Sequence, residues 1–169
     1  MNLKPEDLFV QYEKNINDFV ALCKGKTIVF DFDGTLSRFQ YASDSLLPCK
    51  DADIEEYTRA GGNIYENIYV LKTMQYIMSL INKNEVWVLT STVPSLREIK
   101  NKIIEDNFGI EMKRIVHTNS SKEKLGVLKD IHEKTGKQIV FVEDNYKILL
   151  DAEEKTDFVR AYHTSSFLA

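Results

Sequence analysis

Cysteine, long apolar runs and concentrated positive charge are scarce or absent in this sequence. Cys23 and Cys49 form neither a CxxC pair nor a metal-ligand spacing, so we expect a buried thiol and a loop thiol in a reducing compartment. No apolar run approaches the roughly 20 residues of a membrane-spanning helix, and the N-terminus lacks the core of a signal peptide. We therefore expect a cytoplasmic protein with no membrane partner.

The charge and composition are those of an ordinary globular protein. The net charge is −4 and no stripe of lysine and arginine appears, which argues against a nucleic-acid partner. Hydrophobic residues make up 43% of the chain and charged residues 28%, which is usual for globular domains. A chain of 169 residues can bury one sizeable core, so we expect a single domain over residues 1–169.

Short apolar runs alternate along the chain with stretches of helical spacing. The runs predict strands at residues 26–32, 85–91, 113–118, 138–144 and 158–163. Apolar spacing, with proline at starts and glycine at ends, predicts helices at residues 5–23, 64–81, 94–108, 121–135 and 145–155. This alternation is typical of a doubly wound, Rossmann-like α/β fold, in which helices cover both faces of a parallel sheet.

One segment breaks the alternation. Residues 37–63 are polar, acidic in their middle, and end in two glycines. We expect a short cap-like insertion after the first strand, lying over one end of the sheet. Tyrosines in and after this insertion either line a substrate entrance or pack the insertion onto the domain: Tyr41, Tyr57, Tyr65 and Tyr69.

Polar residues stand where the predicted strands end. Ligands of open parallel sheets bind beyond the carboxyl ends of the strands, so these residues are candidates for a site. A turn stabilised by aspartate side chains is the alternative role for the first pair. The candidates are two acids, two hydroxyls, two lysines and two further acids: Asp31 and Asp33, Thr90 and Ser91, Lys122 and Lys124, Glu143 and Asp144.

The residue types at this edge favour phosphoryl chemistry. Converging carboxylates would raise one another's pKa values unless a cation neutralised them. Oxygen ligands favour a hard ion, and Mg²⁺ combines one or two carboxylates with substrate phosphate and water. A lysine and a hydroxyl could then surround the phosphoryl oxygens, while one carboxylate acts as nucleophile and another as general acid and base.

Four motifs, in this order, resemble those of the haloacid dehalogenase superfamily of phosphatases. They are DFDGTL at residues 31–36, VWVLTS at 86–91, SSKEKL at 120–125 and FVEDN at 141–145. The first motif is highly specific, and the others gain weight from their order and spacing. The resemblance extends from Lys26 to about His163, which is nearly the whole chain.

The resemblance implies catalytic roles for several of these residues. Asp31 would be the nucleophile and Asp33 the general acid and base, an acid that favours phosphate chemistry over dehalogenation. Thr90 would bind a phosphoryl oxygen. Of the two lysines, Lys122 is the better match for the residue that steadies the nucleophile and the phosphoryl group, and Lys124 is the alternative.

The resemblance also implies a metal site and substrate contacts. Mg²⁺ would be held by Asp31, the main-chain carbonyl of Asp33, and Asp144, with Glu143 beside it. Further residues would contact the phosphate or the rest of the substrate: the main-chain N–H groups of Gly34 and Thr35, together with Ser91 and Arg38. We expect Arg97 and Lys100 to lie on a mostly solvated helix, and the histidines His117, His132 and His163 to be structural.

These observations predict a Mg²⁺-dependent phosphomonoester hydrolase that works through an aspartyl-phosphate. A phosphotransferase or mutase is one alternative, although such members usually need a larger cap to exclude water. A non-catalytic binding module is another, although loss of the nucleophile or the acid would be its signature. We expect a phosphorylated small molecule as substrate, with a phosphoprotein as a further candidate. A homo-oligomer stays open, because some members of this superfamily borrow a cap from a neighbouring subunit.

Overall fold

The computed structural model describes residues 5–39, 56–66 and 68–168. Five helices are labelled in chain order: α1 Pro5–Cys23, α2 Lys72–Leu80, α3 Arg97–Phe108, α4 Lys124–Thr135 and α5 Tyr146–Glu154. The strands are β1 Thr27–Phe30, β2 Ser37–Phe39, β3 Ile68–Val70, β4 Val86–Ser91, β5 Ile115–Thr118, β6 Ile139–Glu143 and β7 Val159–His163. No helix in these ranges has the length and apolar character needed to cross a membrane.

The main sheet has five parallel strands in the order β5-β4-β1-β6-β7. Strand β1 lies in the middle, and all four of its residues are buried. Because every strand runs in the same direction, all the carboxyl ends lie along one edge of the sheet. The prediction of an α/β fold built on a parallel sheet is confirmed.

Helices cover both faces of this sheet. Alternate residues of β1 point to opposite faces, so Ile28 and Phe30 belong to one core and Val29 to the other. Helices α1, α2 and α3 contribute to the first core, and α4 and α5 to the second. Burial on both faces is why the strands read as continuous apolar runs rather than as alternating ones.

The predicted helix over residues 64–81 is wrong in its first half. Only residues 72–80 form α2, while Ile68–Val70 is strand β3 and pairs antiparallel with β2. Side chains in β3 alternate, since Ile68 and Val70 are half-buried and Tyr69 is exposed. The predicted insertion over residues 37–63 begins as strand β2, and residues 40–55, including Tyr41 and Cys49, lie outside the described ranges.

The buried face of α3 also differs from the prediction. The apolar spacing of this segment predicts that Leu96, Ile99, Ile103 and Ile104 point inward, but Ile99 is 37% exposed. The buried stripe instead runs at intervals of four residues along Leu96, Lys100, Ile104 and Phe108. A lysine therefore occupies a core position on a helix that we expected to be mostly solvated. The predicted helix ends at Gly109 and Gly136 and the buried thiol of Cys23 are confirmed.

Candidate active site

The acidic pair follows directly from the central strand. The main-chain N–H of Asp31 donates to the carbonyl of Val142 at 2.9 Å, which continues the pairing between β1 and β6 by one residue. Asp31 is consequently held in the sheet and is only 4% exposed. Asp33 lies in the turn that follows, and its side chain is 28% exposed. The two carboxylates therefore leave the strand end in different environments.

Lys124 joins the first and fourth strand ends. Its ammonium lies 2.7 Å from Asp31 Oδ1 and 2.6 Å from Glu143 Oε2, and it donates a hydrogen bond to each. Its side chain is only 5% exposed, so both ion pairs are shielded from solvent. The alternative lysine of the third motif is thus the one that contacts Asp31.

Lys122, the better match by sequence, does not take that position. It is exposed and lies in the 3₁₀ turn Ser121–Glu123, which precedes α4. A 3₁₀ turn has three residues per turn, so side chains two positions apart point in different directions. Lys124, the first residue of α4, is the one directed into the protein.

Lys100 is the residue that sequence reasoning missed. Its ammonium lies 2.6 Å from Asp33 Oδ2 and 2.8 Å from Thr90 Oγ1, with the carbonyl of Ser91 at 3.4 Å. The side chain is 0% exposed. The available signal was its place at four-residue intervals from Leu96 and Ile104, which puts it on the apolar stripe of α3.

Thr90 and Ser91 at the end of β4 and Arg38 on β2 are further predicted site residues. Thr90 is fully buried and accepts the hydrogen bond from Lys100. Ser91 is half-buried, and its hydroxyl bonds to that of Thr118 at 2.9 Å. Arg38 is exposed on β2, with its guanidinium 5.4 Å from the ring centre of Tyr69.

The main-chain N–H groups expected to bind phosphate are used inside the turn. The N–H of Gly34 donates to the carbonyl of Ser37 at 2.8 Å, and that of Thr35 donates to the carbonyl of Phe32 at 3.3 Å. These bonds close the tight turn between β1 and β2, which is the physical reason that the amides are engaged. Their contact with a phosphate stays a prediction.

Three carboxylates form a cluster that could hold a metal ion. Asp31, Glu143 and Asp144 each offer a carboxylate oxygen, and these oxygens all lie within 4.8 Å of one another. Gly34 makes this approach possible, because a Cβ on it would overlap the Asp144 carboxylate. Gly34 also has φ = 80°, a left-handed conformation that residues with side chains rarely adopt. An all-oxygen donor set suits Mg²⁺.

Local hydrogen bonds hold the loop that carries Asp144. The side chain of Asn145 caps α5 by accepting from the N–H groups of Lys147 and Ile148. The main-chain N–H of Asn145 donates to Glu143 Oε1 at 3.2 Å. His163 at the end of β7 donates from Nε2 to the Asp144 carbonyl at 2.9 Å. These contacts fix the main chain on both sides of the Asp144 side chain, which is itself left exposed.

The electrostatic balance of the site is negative. Burial, together with the nearby Glu143 and Asp33, raises the pKa of Asp31 to about 7, against the lowering effect of Lys124. Burial likewise raises the pKa of Glu143. Burial alone would lower the pKa of Lys124, but Asp31 and Glu143 hold it above its usual value. One lysine therefore does not fully neutralise the charge of the buried acids, and a bound cation would reduce the repulsion between them.

The pKa of the second lysine, Lys100, shifts in the opposite direction to that of Lys124. Burial lowers the pKa of Lys100, although Asp33 acts in the opposite direction. The structure thus brings together two carboxylate–lysine pairs: Asp31 with Lys124, and Asp33 with Lys100.

Comparison with protein-family models finds no match to this chain, and comparison with curated proteins finds none either. What bears on function is therefore the geometry of the site. It consists of a buried carboxylate held by a lysine, a cluster of three acids beside it, and a second carboxylate held by another lysine and next to a threonine, all at the carboxyl ends of parallel strands.

Proposed function

We propose that this chain is a Mg²⁺-dependent phosphomonoester hydrolase of the haloacid dehalogenase superfamily, with Asp31 as its nucleophile. The contact between Lys124 and Asp31 carries most weight in this proposal. It joins the first, third and fourth motifs at one point, as the resemblance in the sequence requires. A buried lysine there can orient the carboxylate and attract the phosphoryl group at once.

The proposed reaction has two displacements at phosphorus. An Asp31 carboxylate oxygen attacks the phosphorus of the ester, the bond from phosphorus to the ester oxygen breaks, and Asp33 gives a proton to the leaving oxygen. In the second displacement, Asp33 takes a proton from water as the water oxygen attacks phosphorus. The aspartyl-phosphate bond breaks, and inorganic phosphate and the Asp31 carboxylate are released.

The other residues bind and orient. Lys124 holds Asp31 Oδ1, which leaves Oδ2 as the attacking oxygen. Thr90 and Lys124 would donate to phosphoryl oxygens, where negative charge lies in the transition state. Asp31 and Asp144, with Glu143 adjacent, would hold Mg²⁺. When bound, the ion would neutralise charge on the carboxylates and the phosphoryl group.

The substrate class proposed is a phosphorylated small molecule, with a phosphoprotein as the further candidate. Asp144 is exposed and the Asp33 side chain is more than a quarter exposed, so the site is open on that side among the described residues. An open site accepts both kinds of phosphate monoester. The proposed substrates include no nucleic acid.

Hydrolysis of an aryl phosphate tests this proposal. Phosphate release from nitrophenyl phosphate is measured with and without Mg²⁺ for the wild type and for Asp31→Asn. Asp130→Asn is the matched control, because it removes an exposed acid from α4. We expect activity that requires Mg²⁺, disappears in Asp31→Asn and persists in the control. Equal activity of Asp31→Asn and the wild type would exclude Asp31 as nucleophile.

Two further measurements distinguish the hydrolase from a phosphotransferase and from a binding module. One traps an adduct on Asp31, and the other supplies a sugar as an acceptor of the phosphoryl group. Beryllofluoride with Mg²⁺ should form an adduct on Asp31 of the wild type even if the aryl phosphate is a poor substrate. A phosphotransferase would pass the phosphoryl group to an added sugar and release little inorganic phosphate. A binding module would neither form the adduct nor turn over any phosphate ester.

A further inference from the structure

The side chain of Lys100, with its ammonium group, is buried on the apolar stripe of α3. Removing such a charge from water is costly unless its hydrogen-bonding groups find partners. Its three partners are Asp33 Oδ2 at 2.6 Å, Thr90 Oγ1 at 2.8 Å and the Ser91 carbonyl at 3.4 Å. All three belong to the first and second strand ends, so the lysine is directed at the candidate site.

The contact with Thr90 fixes the direction of a hydrogen bond. An ammonium group can only donate, so Thr90 Oγ1 must accept from Lys100. The hydroxyl hydrogen of Thr90 is then free to donate elsewhere, which is what a residue that binds a phosphoryl oxygen needs. Without Lys100 this constraint on the direction of the Thr90 hydroxyl is lost.

The contact between Lys100 and Asp33 restricts the orientation of the Asp33 carboxylate. Asp33 Oδ1 is buried and has no hydrogen-bond partner among the described residues. Oδ2 accepts from Lys100 at 2.6 Å and from the Tyr65 hydroxyl at the much longer distance of 3.5 Å. The short bond from Lys100 is therefore the main constraint on how the Asp33 carboxylate is turned.

Two aromatic rings hold Lys100 in place. Its ammonium lies 5.3 Å from the ring centre of Phe32 and 5.0 Å from that of Tyr65. Cations within about 6 Å of a ring centre are attracted to the ring face. Both rings are buried, so they also keep water from replacing the bonds that Lys100 makes.

From these contacts we infer that Lys100 is a positioning residue, which orients the Asp33 carboxylate for proton transfer and sets the Thr90 hydroxyl as a donor to phosphate. The inference rests on the proposed function. It adds a residue that none of the four sequence motifs contains, and it gives the site a separate lysine for each aspartate. Lys100 acts through Asp33 and Thr90, not on the substrate.

Leaving-group dependence distinguishes positioning from a general loss of structure. Lys100→Met keeps the length of the side chain and removes the donor, while Lys102→Met, at an exposed position on the same helix, is the matched control. Phenyl phosphate needs a proton on its leaving oxygen, but dinitrophenyl phosphate does not. We expect Lys100→Met to lose about 100-fold in kcat/KM, which covers the steps up to departure of the leaving group, with phenyl phosphate and far less with dinitrophenyl phosphate.

The control should keep the wild-type ratio of the two rates. The same ratio in Lys100→Met as in the wild type would overturn the inference. If Lys100→Met does not fold, Lys100→Gln serves instead, because its amide keeps N–H donors without the charge. We then expect Lys100→Gln to lose more activity with phenyl phosphate than with dinitrophenyl phosphate, and a ratio equal to that of the wild type again overturns the inference.

Crystal structures keep the inference separate from the proposed function. If the wild type hydrolyses neither ester and forms no beryllofluoride adduct on Asp31, the proposed function fails. A structure of the Lys100 variant still decides the positioning role. A reoriented Asp33 carboxylate supports it, and an Asp33 carboxylate and Thr90 hydroxyl in their original places overturn it.

Discussion

Replacing Lys124 should destabilise the fold far more than replacing Lys122. Lys124→Met leaves Asp31 and Glu143 as two buried carboxylates without their shared cation. Breaking a buried ion pair by removing one partner costs about 3–5 kcal/mol, because the other charge remains buried and unpaired. Lys122→Met removes an exposed lysine, and such surface changes are usually worth less than about 0.5 kcal/mol.

This difference converts into a readily measured shift in melting temperature. For proteins of about 150–250 residues, 1 kcal/mol corresponds to about 2–4 °C. We therefore expect Lys124→Met to melt roughly 6–20 °C below the wild type when no metal is added. Lys122→Met should melt within about 2 °C of it.

The destabilisation should grow with pH. The pKa of Asp31 is raised from 3.8 to about 7, so between these values the folded state binds a proton that the unfolded state has lost. The free energy of unfolding therefore falls as pH rises across this range and levels off above it. Removing Lys124 takes away an influence that lowers this pKa, so in the variant the fall continues to higher pH. The variant should approach the wild type at about pH 5 and differ most at about pH 8.

Thermal unfolding followed by circular dichroism at these two pH values checks the prediction. Urea unfolding at the higher pH gives the free-energy difference directly, provided that the denaturant dependence is unchanged. Equal melting temperatures for Lys124→Met and Lys122→Met would refute the placement of Lys124 between the two acids. A difference that shrinks as pH rises would refute the electrostatic explanation.

Two further predictions concern the acidic cluster. Mg²⁺ at a hundred times its dissociation constant should add about 2.7 kcal/mol to the free energy of unfolding of the wild type and much less in Asp144→Asn; an equal gain in both would place the ion elsewhere. Gly34→Ala should weaken Mg²⁺ binding in a calorimetric titration, because the new Cβ would displace the Asp144 carboxylate. Gly61→Ala is its control, since Gly61 also has positive φ but nothing near the added Cβ, and equal effects would point to backbone strain instead.

Prediction from sequence succeeded where a local pattern has one physical meaning. The run Ile28, Val29 and Phe30 in β1 is apolar at every position because helices cover both faces of its strand. It failed where a pattern has two meanings. Ile64, Ile68 and Leu71 have helical spacing, but the chain around Tyr69 pairs with β2, and this pairing with a segment about thirty residues earlier decided the structure.

The sequence by itself determined which acids lie at the candidate site. Asp31 and Asp33 follow a buried strand and Asp144 follows another, and parallel strands bring their carboxyl ends to one edge of the sheet. Only the tertiary structure decided which lysines meet them. Whether Lys122 or Lys124 points inward depends on the turn before α4, and whether Lys100 is buried depends on how α3 packs into the first core beside Thr90. A lysine on a helix is stable in water or beside a carboxylate, and even a place on an apolar stripe does not identify which carboxylate it meets.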